Sequence, residues 1–219
     1  MRSTVMNRQL LFRVAFIVTF LLTGVSYSLS AQQASIEELE LGSTIPLADK
    51  EMINVDDEYY SLNDFQKENG LLVIFSCNTC PYVKAWEPRY IEINDLAEEK
   101  EIGVVLLNPN ENLRESLTEG TESLAAMKEV AEDMNYPFPY LVDENHELAD
   151  AFGATRTPHI YLFNNADKLV YVGAIDDNSS SADEVEHHWL RNAINELAAG
   201  KEITTQKSKA FGCSIKRVK

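Results

Sequence analysis

The sequence is short of positive charge, short of cysteine and free of long apolar runs. Lys and Arg number 19 against 35 Asp and Glu in 219 residues, a formal net charge of -16. Such a surface repels phosphate backbones, which excludes nucleic acid as a first partner. The longest apolar stretch, Val14–Leu22 (VAFIVTFLL), falls short of the roughly 20 residues a membrane-spanning helix needs. Stable membrane insertion is therefore not expected. Three cysteines are too few for a disulfide-stapled scaffold. Neither an internal repeat nor a low-complexity tract is present. What remains, 45% hydrophobic and 25% charged, is an ordinary globular composition with enough chain for a real core.

Acid is also missing from the two ends. Residues 1–31 hold Arg2, Arg8 and Arg13 and no acid. A basic start, the short apolar run and the small-residue stretch TGVSYSLSA read as an export signal cleaved after Ser30 or Ala31. A retained anchor is the alternative. The expected product is exported, periplasmic or secreted, and starts near Gln32. No Cys follows the cleavage point, so no lipid anchor is expected there. Residues 201–219 carry six basic residues and one acid, Glu202. With both ends set aside, 32–200 retains 10 basic and 34 acidic residues, a net of -24. The acid excess keeps an exported protein soluble. The basic tail either docks on this acidic body or is solvated.

Hydrophobic pattern divides the remaining chain. Residues 32–46 are a polar lead-in with a weak helical pattern, and 47–200 read as one domain. Leu47–Tyr60 suggests a short hairpin around Asp56-Asp57. Leu71–Phe75 (LLVIF) and Ile102–Leu107 (IGVVLL) are continuous apolar runs, the mark of strands buried on both faces. Between them, Pro81–Lys100 is helical, with Pro81 suited to its first turn and Pro88 expected to kink it. Leu124, Met127, Val130, Ala131 and Met134 mark an amphipathic helix. Phe138–Val142 is a short strand, and Asn145–Phe152 a short helix stopped by Gly153. His159–Phe163 and Leu169–Val172 form an antiparallel hairpin. Ser181-Ala182-Asp183-Glu184 reads as a capping box opening a helix with Val185, Trp189, Ala193 and Leu197 on one face. Alternating strands and helices predict a layered α/β fold, with a central mixed β-sheet flanked by helices and a short N-terminal β extension.

Two of the three cysteines, Cys77 and Cys80, form a C-x-x-C where a buried strand meets a helix. Unpaired N–H groups and the positive helix end stabilise a thiolate there. Two intervening residues let a second sulfur close a disulfide after attack. Cys77 is the expected nucleophile and Cys80 the resolving thiol, working through a mixed disulfide. A zinc site would need a second pair or spaced histidines; His187-His188 are adjacent, so no metal is expected. An inert structural disulfide is disfavoured by the helix-start position. Thr157-Pro158, just before a strand, is a second mark.

These residues resemble a known family. FSCNTCPYVKAW (Phe75–Trp86), FPYLVDENHELADAFGATRTPHIYLF (Phe138–Phe163), VGAIDD (Val172–Asp177) and GCSIK (Gly212–Lys216) are similar to the thioredoxin superfamily. Within it they resemble the redoxin group of peroxiredoxin-like proteins carrying a thioredoxin-type C-x-x-C. The resemblance implies a thioredoxin fold, a redox pair Cys77 and Cys80, and a cis Pro158 with Thr157 presenting backbone to an extended substrate. It implies no organic or metal cofactor, with protein thiols and disulfides as substrates and a thiol protein as electron donor.

Three departures qualify the resemblance. The peroxiredoxin pattern P-x-x-x-T-x-x-C fits neither cysteine: counting from Cys80 gives Val73 and Cys77, and from Cys77 gives Gly70 and Ile74. This weakens direct peroxide reduction, in which the second position, Cys80, would be peroxidatic and Arg156 a candidate activating residue. No ionisable residue lies on Leu71–Phe75, where thioredoxins keep a buried acid. Lys84 and Glu87 are substitutes, or simply a solvated pair. Ser76 stands where thioredoxins have Trp. Cys213 is either a third, resolving redox thiol or a free or intermolecularly paired thiol in a flexible tail. Asp143-Glu144-Asn145 is read as a helix cap, Asp176-Asp177 as a surface turn, His159 as a strand-end residue, and Tyr82 and Trp86 as packing or an apolar rim. The expected function is an exported thiol–disulfide oxidoreductase. The alternatives are a thiol peroxidase, or a non-enzymatic thioredoxin-fold module that binds a partner protein.

Overall fold

The computed structural model describes residues 36–218, so the proposed signal 1–31 lies outside the described residues. The apolar runs become β3 (Gly70–Phe75) and β4 (Ile102–Asn108), buried along their whole length. A short hairpin of β1 (Met52–Ile53) and β2 (Tyr59–Tyr60) precedes them. Helix α1 (Pro81–Glu99) connects β3 to β4 and runs on through Pro88. The N–H of Asn69 bonds the Glu101 carbonyl, and that of Ser76 the Leu107 carbonyl, so β3 and β4 run the same way. After α2 (Leu124–Asp133), β5 (Tyr140–Val142) pairs parallel to β4. Then come α3 (Glu147–Phe152), β6 (Arg156–Thr157), β7 (His159–Asn164) and β8 (Leu169–Gly173). Strand β7 lies antiparallel between β3 and β8. The central sheet is thus mixed and five-stranded, with helices on it, as the alternation of elements predicts.

Side chains alternate across a strand, so this sheet feeds two cores. Leu72, Ile74, Leu106, Ile160 and Leu162 pack with Val83, Trp86, Tyr90 and Ile93 of α1 on one face. Leu71, Val73, Phe75, Leu107, Tyr161 and Phe163 pack with Leu148, Ala149 and Phe152 of α3 on the other. The Phe152 ring meets Phe75, Tyr161 and Phe163 edge-on at 5.2–5.8 Å. Each such side chain contributes about 1.5–3 kcal/mol by leaving water, which holds the strand ends rigid beneath the cysteines.

Three local readings are corrected. The Ser181 capping box forms only a single turn, Ala182–Glu184; the chain is extended at Val185, and helix α4 opens at Trp189 and runs to Ala198. Asn178 Oδ1 accepts the N–H groups of Ser180 and Ser181, and the Asp177 carboxylate those of Glu186 and His187. These side chains take the N–H groups that a helix would use. The core face of α4 is Leu190, Ala193 and Ile194, with Val185, Trp189 and Leu197 only partly buried. The Asn145 helix starts at Glu147, because Asn145 and His146 have φ of 55° and 51°. Asp143 still caps it, accepting the Leu148 and Ala149 N–H groups at 2.8 Å each. The described part of the lead-in is not helical: Leu39 and Gly42 N–H groups bond Phe152 and Leu169 carbonyls, and Ile45 is buried.

The basic tail docks. Val172 N–H bonds the Gln206 carbonyl and Ser208 N–H returns to the Val172 carbonyl, both at 3.0 Å. Further on, β9 (Cys213–Ser214) pairs antiparallel with β6. No helix among the described residues is long and apolar enough to cross a membrane.

Candidate active site

Pro81 occupies the first position of α1, which makes Cys80 its N-cap residue. Cys77 sits in the turn between β3 and the helix. Both are almost fully buried, at 1% and 3% exposure, and both are free thiols. The Thr157-Pro158 bond is cis, as the resemblance implies. Cys77 Sγ lies 3.1 Å from Thr157 Oγ1, and the Cys80 thiol donates to the Thr157 carbonyl at 3.1 Å. In the β6–β9 pair, Cys213 is the register partner of Thr157. All five expected residues, Cys77, Cys80, Thr157, Pro158 and Cys213, therefore converge.

The electrostatics of the pair run against the expected roles. The Cys80 thiol is pushed well below its ordinary value, first because the Cys77 thiol donates to it. Burial opposes the shift, while the Cys213 thiol and the N–H groups of Val83 and Cys213 reinforce it. Cys77 is pushed up, by that same contact, by burial and by the nearby Glu122 carboxylate. The positive helix end favours an anion at the N-cap itself, while the Thr157 carbonyl holds the Cys80 proton, so a thiolate at Cys80 gives up that bond when it forms. Thr157 departs from expectation too. Its strand edge is already paired with the tail rather than open to a substrate.

Glu122 is the residue that sequence reading missed. Its side chain is fully buried just before α2. Its carboxylate accepts from Asn78 N–H at 2.8 Å, Thr79 N–H at 3.1 Å, the Thr79 hydroxyl at 2.6 Å, Asn108 Nδ2 at 2.8 Å and Asn110 Nδ2 at 3.5 Å. A buried charge is tolerable only when bonded this fully. Tyr140 extends the network, donating to Asn78 Oδ1 at 3.0 Å and accepting from Asn108 Nδ2 at 3.0 Å. Arg114 backs it, bonding the Glu122 and Asn108 carbonyls. The loop between the cysteines is thus clamped by an anion that also disfavours a thiolate at Cys77.

Other candidates settle into place. Glu87 is buried rather than solvated; Tyr136 donates to it at 2.9 Å, and burial raises its pKa. Lys84 is exposed, and its charge acts on Glu87 only as a lesser, opposing influence. Arg156 donates to the Gly212 carbonyl of the tail at 3.1 Å, so it anchors the tail instead of activating a sulfur. Ser76 is buried, 3.3 Å from the Tyr90 hydroxyl. Trp86 is core, and Tyr82 alone of the two is exposed. Asp176 is no surface residue: it is buried and accepts from Trp86 Nε1 at 2.8 Å and Arg89 at 2.6 Å. His159 is buried, with Nε2 3.2 Å from Glu38. Asp177, Glu186 and His187 bring possible metal-ligand atoms within 4.8 Å of one another, but Asp177 is already engaged by loop N–H groups.

Residues 40–186 match the Redoxin family model. No curated protein matches the chain. Among solved structures, an uncharacterized conserved protein from Geobacillus kaustophilus is 31% identical, with a TM-score of 0.73, covering 82% of this chain and 93% of its own. A hypothetical protein from Sinorhizobium meliloti 1021 is 27% identical, with a TM-score of 0.72, covering 83% and 97%. A peroxidoxin from Mycobacterium tuberculosis, 15% identical at a TM-score of 0.54 and covering 74% and 98%, shares the fold. The chain belongs to the Redoxin family, and its thioredoxin-like fold serves thiol redox chemistry.

Proposed function

We propose that this protein is an exported thiol–disulfide oxidoreductase in which Cys80 attacks and Cys77 resolves. The observation that carries the reading is the placement of Cys80 at the N-cap of α1, where the positive helix end favours a thiolate. The Cys80 thiolate attacks one sulfur of a substrate disulfide, and the other sulfur leaves as a thiolate that takes a proton from water. Cys77 then attacks Cys80 Sγ, closing the Cys77–Cys80 disulfide. The second substrate thiol leaves with the proton that Cys77 gives up. A partner thiol protein returns the pair to its reduced form. Protein thiols and disulfides are the substrate class, and the chemistry calls on no metal or organic cofactor.

Reduction of insulin disulfides tests the reading. Cys80→Ser is expected to abolish it, and Cys77→Ser to leave a trapped mixed disulfide. Unchanged reduction by Cys80→Ser would refute the assignment. Export rests on the basic, apolar and small-residue pattern of residues 1–31. The mature N-terminus is expected near Gln32 in the exported fraction; full-length protein retained in the cytoplasm would overturn that.

A second reading, thiol peroxidase, is favoured by one observation: the second cysteine position, Cys80, caps the helix end that stabilises an anion. Peroxide would oxidise it to a sulfenic acid, which Cys77 would condense with and water would leave. Against it, Arg156 points to the tail and the Thr157 hydroxyl contacts Cys77 rather than Cys80. Peroxide consumption with a thiol donor, lost in Cys80→Ala, would mark this activity.

A further inference from the structure

The tail is seated on both sides of Cys213. Upstream, the Ser208 hydroxyl accepts Ala174 N–H at 3.0 Å and lies 2.7 Å from the Tyr171 hydroxyl. Downstream, Ile215 is buried, with its N–H on the Thr155 carbonyl at 3.2 Å. Lys216 N–H bonds Asn110 Oδ1 at 2.8 Å, and Arg217 bonds Asp150 at 2.7 Å and the Ala154 carbonyl at 2.6 Å. Glycines make the fit possible. A Cβ on Gly212 would stand 2.2 Å from the Thr157 carbonyl oxygen, and one on Gly173 would stand 2.2 Å from Ser208 Oγ. Neither contact tolerates a side chain, so body and tail are cut to each other.

This seating gathers three sulfurs around one residue: Cys77 Sγ lies 3.1 Å from Thr157 Oγ1, Cys80 Sγ lies 3.1 Å from the Thr157 carbonyl oxygen, and Cys213 is the register partner of Thr157. The two body cysteines are nearly inaccessible, whereas Cys213 is part-exposed. A protein thiol that must contact sulfur directly meets Cys213 first. The tail also holds the strand edge that an extended polypeptide would otherwise pair with.

We propose that the tail is a tethered substrate strand and that Cys213 is the third redox thiol, relaying the disulfide between the buried pair and protein partners. The proposal rests on the exchange reading above. Cys213 first attacks a substrate disulfide; Cys80 then attacks Cys213 Sγ and frees the substrate as a dithiol, and Cys77 attacks Cys80 Sγ, freeing Cys213 and closing Cys77–Cys80. Cys213 then gives up its proton and attacks Cys80 Sγ. The Cys80–Cys213 bond forms, the Cys77–Cys80 bond breaks, and Cys77 leaves as a thiolate that takes up the proton. One disulfide replaces another, with no net oxidation. A reducing protein thiol then attacks Cys213 Sγ, releasing Cys80 as the thiolate, and a second thiol of that partner resolves the mixed disulfide.

Disulfide mapping of the full chain tests this. Reduced protein is oxidised with one equivalent of diamide, acid-quenched, alkylated and digested for mass spectrometry. Wild type is expected to hold both Cys77–Cys80 and Cys80–Cys213 bonds. Cys77→Ser is expected to hold Cys80–Cys213 within single chains. Gly212→Val, which cannot seat the tail, should lose the Cys80–Cys213 bond roughly tenfold or more, because misplaced cysteines cannot bridge, yet still form Cys77–Cys80. An absent Cys80–Cys213 bond in Cys77→Ser, or an undiminished one in Gly212→Val, overturns the relay. If Cys77–Cys80 still forms and insulin is still reduced, the exchange reading stands without it; if neither occurs, both readings fall.

Discussion

Replacing Glu122 with glutamine removes one charge and changes almost no volume, so it isolates what that charge does. The carboxylate has two donors on one oxygen, Asn78 N–H and Asn108 Nδ2, and three on the other, from Thr79 and Asn110. A glutamine supplies one accepting oxygen and one donating amide. In its better orientation the amide faces Thr79, whose hydroxyl can rotate to accept, but the Thr79 N–H and the long contact from Asn110 Nδ2 then lose their partner. An orphaned donor costs about 1–3 kcal/mol, and each bond that falls from charged to neutral costs about 1 kcal/mol. The expected loss is about 3 kcal/mol, read as a lower urea midpoint of the reduced protein. The same change removes an anion that pushes Cys77 up, so the thiol pKa values of the pair should draw together in an ultraviolet titration of thiolate. A loss under about 1 kcal/mol with an unchanged thiolate titration would refute the clamp.

Other outcomes follow from the same geometry. The reduced protein should keep one thiolate at about pH 6, where an ordinary cysteine is almost wholly protonated; Cys80→Ser should lose that absorbance and Cys213→Ser should weaken it, and its survival in Cys80→Ser would contradict the reversal of roles. Because the folded pKa of Cys80 is depressed, its contribution stabilises the reduced fold above the unfolded thiol pKa and is lost as pH falls through the folded value. Burial raises Asp143 to about 6, so the opposite sign applies: its contribution is present below the ordinary carboxylate range and is lost as pH rises through about 6. Urea midpoints across that window should fall less steeply in Asp143→Asn, and identical slopes would count against it. Asp176→Ala takes the acceptor from the Trp86 indole N–H and leaves the Arg89 guanidinium, both buried, without its counter-charge and with the Asn178 carbonyl as its remaining partner. It should cost about 3–5 kcal/mol, measured by thermal or urea unfolding; a near-neutral effect would show that water replaces the carboxylate.

Local pattern made much of this protein readable. LLVIF and IGVVLL could only be central strands, and a C-x-x-C between strand and helix could only sit at a helix start. Pro81 marked the first turn of that helix, which leaves Cys80 as the capping residue. What escaped depends on distant partners. Glu122 looks like any acid before a helix until the chain folds it beneath Asn78 and Thr79. Glu87 and Asp176 look like surface residues until Tyr136, Trp86 and Arg89 close over them. The capping box at Ser181 gives way to Asp177 and Asn178, whose side chains accept N–H groups of the same stretch of backbone. The docked tail was legible only as charge, whereas its fit lies in Gly173 and Gly212, residues with no side chain to notice.

The β6–β9 pairing has a consequence for concentration. A thiol held beside Cys80 by its own chain acts at an effective concentration on the order of millimolar, whatever the dilution of the protein. Free small thiols would have to approach that level to compete for the same sulfur. The protein would then respond to the identity of its partners and stay indifferent to its own abundance.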